Sequence, residues 1–235
     1  MYEIITFDCY GTLIDWEGGI SGAIAAAAKS AGIDVRQSEV MQAYLQVEPT
    51  IHAAEYRCYR DILAEAAAKT AELLGWSVKS EHAAFLSESL PNWQPFADTN
   101  PALEQLKADG YRLGILSNID DDLLAGTLEH LTVDFDLLVT AESVHSYKPA
   151  HTHFLKAREM LAGSSWLHAA QSYFHDVRPA HELGIPVAWV NRNGEEPTEI
   201  ARPTGEVKSL SGLVKWLRDP PDRRSTSGRL KTGSE

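Results

Sequence analysis

Short apolar runs of β type alternate along the chain with longer stretches whose apolar residues recur every three to four positions. The runs predict strands at Ile4–Phe7, Tyr111–Leu116, Asp136–Thr140, Leu167–Ala170 and Pro186–Asn191. The helical spacing predicts helices over Pro101–Ala108, Asp121–His130, His151–Leu161, Pro179–Leu183 and Ser209–Arg218. Strands separated by helices are the pattern of an α/β protein with a parallel sheet and crossover connections.

One stretch breaks the alternation. Between Gly18 and Leu90 there is no strand signal, only alanine-rich segments with helical spacing: "AIAAAAKSAG" closes on a glycine, and "AAEYRCYRDILAEAAAKTAELLG" runs to Gly75. A helical block between the first and second strands predicts an inserted helical cap, residues 17–90, with residues 1–16 and 91–218 forming the core. The proline-rich "LPNWQPFADTNP" marks the return. Residues 219–235 are polar and rich in breakers, which predicts a disordered tail.

Composition narrows the partners. With 33 Asp and Glu against 21 Lys and Arg the net charge is −12, which argues against nucleic acid, whose binding needs Lys and Arg on phosphates. The two cysteines, Cys9 and Cys58, have no ligand or disulfide-framework spacing and suggest a reducing compartment. No apolar run approaches the roughly 20 residues of a membrane span. The chain enters its first strand at once, without a basic region and apolar run before it. The expectation is a cytoplasmic protein with no membrane partner.

In an open parallel sheet, ligands bind beyond the carboxyl ends of the strands. Asp8 ends the first strand, Ser117 and Asn118 the second, "SYKP" with Lys148 follows the third, and "QSYFHD" with Asp176 follows the fourth. Each alone has an ordinary explanation: a turn residue for Asp8, a helix cap for Asp176, a solvated loop lysine for Lys148. Together, in order and each at the same end of its strand, they predict one site. A nucleophilic carboxylate must be ionised and held, and Lys148 with nearby hydroxyl and amide donors suits that need.

These residues resemble the haloacid dehalogenase superfamily, in particular its 2-haloacid dehalogenase branch: "FDCYGT", "LSN", "YKP" and the "HD" at Asp176 match its four ordered motifs. The resemblance spans the chain to about Arg218. It implies a Rossmann-like core with a mobile cap, Asp8 as nucleophile, Thr12 and Ser117 as hydroxyls around it, Asn118 as a substrate contact, Lys148 as charge partner and Asp176 as fourth-motif acid. Cys9 and Tyr10, within the first motif, join the expected substrate contacts. A small carboxylic acid is the implied substrate, without cofactor or metal, and the resemblance allows a homodimer.

Departures from the superfamily separate its chemistries. Its magnesium-dependent phosphatases place a second aspartate two residues after the nucleophile; here that residue is Tyr10, with a reference pKa near 10 that fits poorly as a general acid. They also carry two acids in the fourth motif, and the first of these is here Gln171. Attack on carbon suits the same residues better, since a halide leaves without a proton. Asp8 then forms an ester, and water deprotonated or oriented by Asp176 releases a 2-hydroxy acid.

Further departures lie within the dehalogenase branch. No early cap arginine is placed to cradle a halide, Gln171 and Tyr173 replace a serine and an asparagine, and Phe154 replaces a tyrosine. "FDCYGTLIDWE", "LSNID", "SYKP" and "YFHD" also resemble L-azetidine-2-carboxylate hydrolase, which opens a strained nitrogen ring with the same nucleophile. That resemblance makes Glu48, His175 and either Arg57 or Arg60 candidates for a pocket. The opposing reading puts the arginines on the outer face of a cap helix. His151 and His153, two residues apart at a helix start, point to different sides and make a poor metal site. Trp16 and Trp93 sit at the two predicted cap linkers. A binding protein that kept the fold and lost catalysis is the remaining alternative, since its support is the altered fourth motif.

Overall fold

The computed structural model describes residues 2–51, 56–79, 82–197 and 201–219. Six parallel strands form one sheet in the order β3-β2-β1-β4-β5-β6: β1 is Ile4–Phe7, β2 Arg112–Ser117, β3 Leu137–Thr140, β4 Trp166–Ala170, β5 Val187–Val190 and β6 Gly205–Val207. All four residues of β1 are buried, because this strand lies centrally between β2 and β4 with both faces covered. The chain first builds outward from β1 to β2 and β3, then returns to the other side for β4 to β6. This reversal opens a crevice at the carboxyl end of β1.

Five of these strands fall where the apolar runs predict them, with no end displaced by more than one residue. The sixth, β6, has no counterpart among the predicted strands. Three residues containing a glycine and a glutamate carry no alternation to read, and pairing with β5 supplies the order that the pattern lacks.

From Trp16 to Ser89 the regular structure of the described residues is helical: α1 (Trp16–Ser30), α2 (Gln37–Val47), α3 (Tyr59–Leu73) and α4 (Phe85–Ser89). In α1 the Asp15 carboxylate accepts the Gly18 N–H at 3.0 Å, and Ile20, Ile24 and Ala28 bury one face at four-residue spacing. These helices meet the sheet's own helices through one continuous apolar cluster that runs from Ile24, Val40 and Leu63 to Phe7 and Ile115. Fully burying side chains of this size stabilises by about 1.5–3 kcal/mol each.

The remaining helices are α5 (Thr99–Ala108), α6 (Asp121–Leu128), α7 (Ala141–Val144), α8 (Thr152–Leu161), α9 (Arg178–Glu182) and α10 (Leu210–Arg218). Between β4 and α9, Tyr173–Val177 form one π-helical turn, in which the Val177 N–H reaches the Ser172 carbonyl at 3.2 Å. Among the described residues no helix is long and apolar enough to cross a membrane. Of the predicted tail, residues 220–235 lie outside the described residues.

Candidate active site

Immediately after β1 the chain turns sharply. Gly11, at φ +95, takes a backbone conformation that side chains rarely adopt, and the turn brings Thr12 back over Asp8. The Thr12 hydroxyl donates to Asp8 Oδ2 at 2.8 Å and itself accepts the Gln171 N–H at 2.8 Å. Because successive side chains alternate sides, Cys9 points the other way. It is fully buried in the apolar cluster and does not line the cavity, which corrects its expected place as a substrate contact.

Lys148 stands between two carboxylates. Its ammonium donates to Asp8 Oδ1 at 2.9 Å, to Asp176 Oδ1 at 2.6 Å and to the Leu116 carbonyl at 2.9 Å, with its side chain only 1% exposed. Burial alone pushes a lysine down, but the paired charges of Asp176 and Asp8 reverse this and hold it above its ordinary range. The same lysine divides the acids. Asp8 is raised by burial and by the charge of Asp176, against the pull of Lys148 and Thr12. For Asp176 the burial penalty is outweighed by Lys148 and His168, and its pKa falls to about 2.

Asn118 has a second task besides lining the cavity. Its side chain accepts the Lys148 N–H at 2.7 Å and donates to the Lys148 carbonyl at 3.0 Å, so it clamps the lysine's backbone while also lining the cavity.

A cavity of about 260 Å³ lies above this cluster and between the sheet edge and the helical segment. Asp8, Ser117, Lys148 and Asp176 form its floor, and Gln171, Ser172 and His175 one side. Its roof is aromatic and apolar: Tyr10, Trp16, Ile20, Tyr44, Tyr59 and Trp93, with Glu48 beside them. Two buried oxygens here, Ser117 Oγ and Asp176 Oδ2, have no hydrogen-bond partner among the described residues.

Tyr10 presents its ring rather than an acid: its hydroxyl bonds Thr127 Oγ1 at 2.8 Å, and burial holds its pKa well above the usual value. Burial also lowers His175, whose Nδ1 lies 3.1 Å from Ser172 Oγ. Arg57 and Arg60 do not reach the cavity. Arg57 pairs with Glu65 at 2.9 Å and Arg60 with Asp122 at 2.5 Å, both partly exposed, so each has found a carboxylate outside it. His151 binds exposed Glu182, whereas His153 is buried against the Ser117 carbonyl, so the two do face different sides.

Among the described residues no group of three His, Cys, Asp or Glu side chains is placed to hold a metal ion. Asp8 has both oxygens engaged, Asp176 Oδ1 is taken by Lys148 and His168, burial keeps Tyr10 neutral, and the Gln171 amide is turned to Glu195.

Sequence reasoning missed His168, Thr6 and Trp166, which lie behind Asp176. It also missed Tyr44 and Tyr59 in the roof. A histidine inside an apolar strand was the one available signal.

Comparison with known proteins agrees with this architecture. The family model for haloacid dehalogenase-like hydrolases matches residues 2–170. The (S)-2-haloacid dehalogenase H-109 of Pseudomonas putida is 29% identical over 92% of this chain and 98% of its own length. Haloacetate dehalogenase H-2 of a Moraxella species is 26% identical over 90% of this chain and 96% of its own. Among solved structures, the L-2-haloacid dehalogenase of Xanthobacter autotrophicus superposes with a TM-score of 0.79 at 22% identity, covering 94% of this chain and 100% of that one.

Proposed function

The chain belongs to the haloacid dehalogenase-like hydrolases, and from that membership we propose that it hydrolyses a small 2-substituted carboxylic acid, typified by a 2-haloacid, with Asp8 as covalent nucleophile. The observation that carries this reading is the Asp8–Lys148–Asp176 cluster beneath an aromatic roof. Residues 17–90 act as the cap that closes on the core residues 1–16 and 91–218.

An Asp8 oxygen attacks the carbon bearing the halogen, the carbon–halogen bond breaks, and the halide leaves with the electron pair. The product of this step is an ester of Asp8. Water held by Asp176 then adds to the Asp8 carboxyl carbon. At a pKa of about 2, Asp176 orients the water and relays a proton rather than keeping it. One proton ends on the departing hydroxyl of the 2-hydroxy acid, the other passes to solvent, and Asp8 is restored. A substrate contact at the Ser117 hydroxyl is supported by its position on the cavity wall, without a partner among the described residues.

A second reading, opening of a strained cyclic amino acid, is favoured by charge. Three carboxylates, Asp8, Glu48 and Asp176, line the cavity, and neither Arg57 nor Arg60 does. A substrate ammonium suits such a wall better than a carboxylate alone.

The test is a panel of (S)-2-chloropropionate, chloroacetate, azetidine-2-carboxylate and phosphate monoesters, with and without EDTA. Halide release unaffected by chelator is the expected result. A phosphate ester turned over only with magnesium overturns both readings.

A further inference from the structure

Behind the site, three side chains form a hydrogen-bonded row that no step above uses. Trp166 Nε1 on β4 donates to Thr6 Oγ1 on β1 at 2.6 Å, Thr6 Oγ1 lies 2.8 Å from His168 Nδ1, and His168 Nε2 lies 3.0 Å from Asp176 Oδ1. Thr6, His168 and Asp176 are fully buried.

The proton positions follow from what each group is able to do. An indole N–H only donates, so Thr6 accepts from Trp166 and has its own hydrogen left to give. The partner in line is His168 Nδ1, which therefore accepts. The remaining nitrogen, Nε2, then carries the ring's hydrogen, and it faces a carboxylate that only accepts. With the ring hydrogen on Nε2 every donor in the row meets an acceptor.

This fixes how Asp176 is used. Its Oδ1 receives both Lys148 and His168, while its Oδ2 is left without a partner among the described residues. Two donors at different angles on one oxygen hold the carboxylate plane, which a single flexible ammonium does not. We propose that His168, locked as its Nε2–H tautomer by Trp166 and Thr6, is a positioning residue that anchors Asp176 through Oδ1 and so presents Oδ2 to the hydrolytic water. The proposal rests on the two-step reading above, because it assigns His168 to the second step alone.

Two measurements test it. With (S)-2-chloropropionate as probe and intact-protein mass as readout, His168→Leu is expected to form the Asp8 ester near the wild-type rate but hydrolyse it up to about 100-fold more slowly, as a misplaced group does. The ester then accumulates. His168→Gln, whose amide also donates, is expected to restore hydrolysis in part. Equal slowing of both steps, or no gain in the glutamine variant, overturns the positioning role. Nitrogen NMR of histidine-labelled wild-type protein is independent of turnover: it is expected to show one neutral ring protonated at Nε2, which changes when Thr6→Val removes the donor to Nδ1. A ring protonated at Nδ1, or charged at neutral pH, overturns the row. A wild-type enzyme that forms no ester with the probe counts against the dehalogenase reading, and the nitrogen spectrum then decides the row by itself.

Discussion

Asp8 and Asp176 are chemically the same side chain, and their surroundings give them opposite properties. Asp8 has its pKa raised, chiefly by burial, whereas Asp176 is held at about 2. The nucleophile must be ionised, so kcat/KM should fall on the acid side at a pH above the ordinary aspartate range. In Lys148→Met that limb should move higher still, because the ammonium lowers Asp8. A limb at or below the reference value of about 3.9 contradicts this. The sign for stability runs the same way. A carboxyl raised in the folded state opposes folding wherever it is ionised, and the penalty disappears only below its unfolded value. Asp8→Asn should therefore abolish turnover without lowering the melting temperature at neutral pH; a large drop in that temperature assigns Asp8 a structural role instead. For Asp176 the stabilisation is present above the unfolded value near 3.9 and is lost as pH falls toward 2.

Among the elements, α3 is tied to the sheet edge by one buried acid. Asp120, 2% exposed, accepts the Tyr59 N–H at 2.7 Å and the Arg60 N–H at 3.0 Å, which are among the first N–H groups of that helix. Tyr59 also walls the cavity. Loss of a capping acceptor costs about 0.5–2 kcal/mol, so urea denaturation should show Asp120→Ala destabilised by that amount, with KM raised as Tyr59 shifts. An unchanged KM separates the cap from the site. Helix α1 passes Trp93 so closely that a Cβ on Gly19 would lie 2.4 Å from the indole. Gly19→Ala should cost about 1–3 kcal/mol, as overpacking does. The helices that follow β1 were legible, since their apolar residues recur at helical spacing. The π-helical turn was not: "HD" gives the acid, but only a ladder shifted by one residue turns Asp176 toward Lys148. Cys9 was misplaced because motif membership says nothing about which side of a strand's exit a residue faces.

At the scale of the molecule, the ordered motifs and the strand–helix alternation were enough to give a parallel sheet and the end at which it works. What they left out were contacts between residues far apart in sequence. His168 reaches Thr6 across 162 positions, and no local pattern encodes such a meeting. In the proposed reaction the oxygen delivered to the product comes from Asp8 and not directly from water. A single turnover in H218O, with enzyme in excess over (S)-2-chloropropionate, tests it. The 2-hydroxy acid should then carry ordinary oxygen, and the peptide containing Asp8 should gain the heavy isotope. Heavy oxygen in the product of that first turnover, with none in the peptide, would contradict a covalent ester at Asp8.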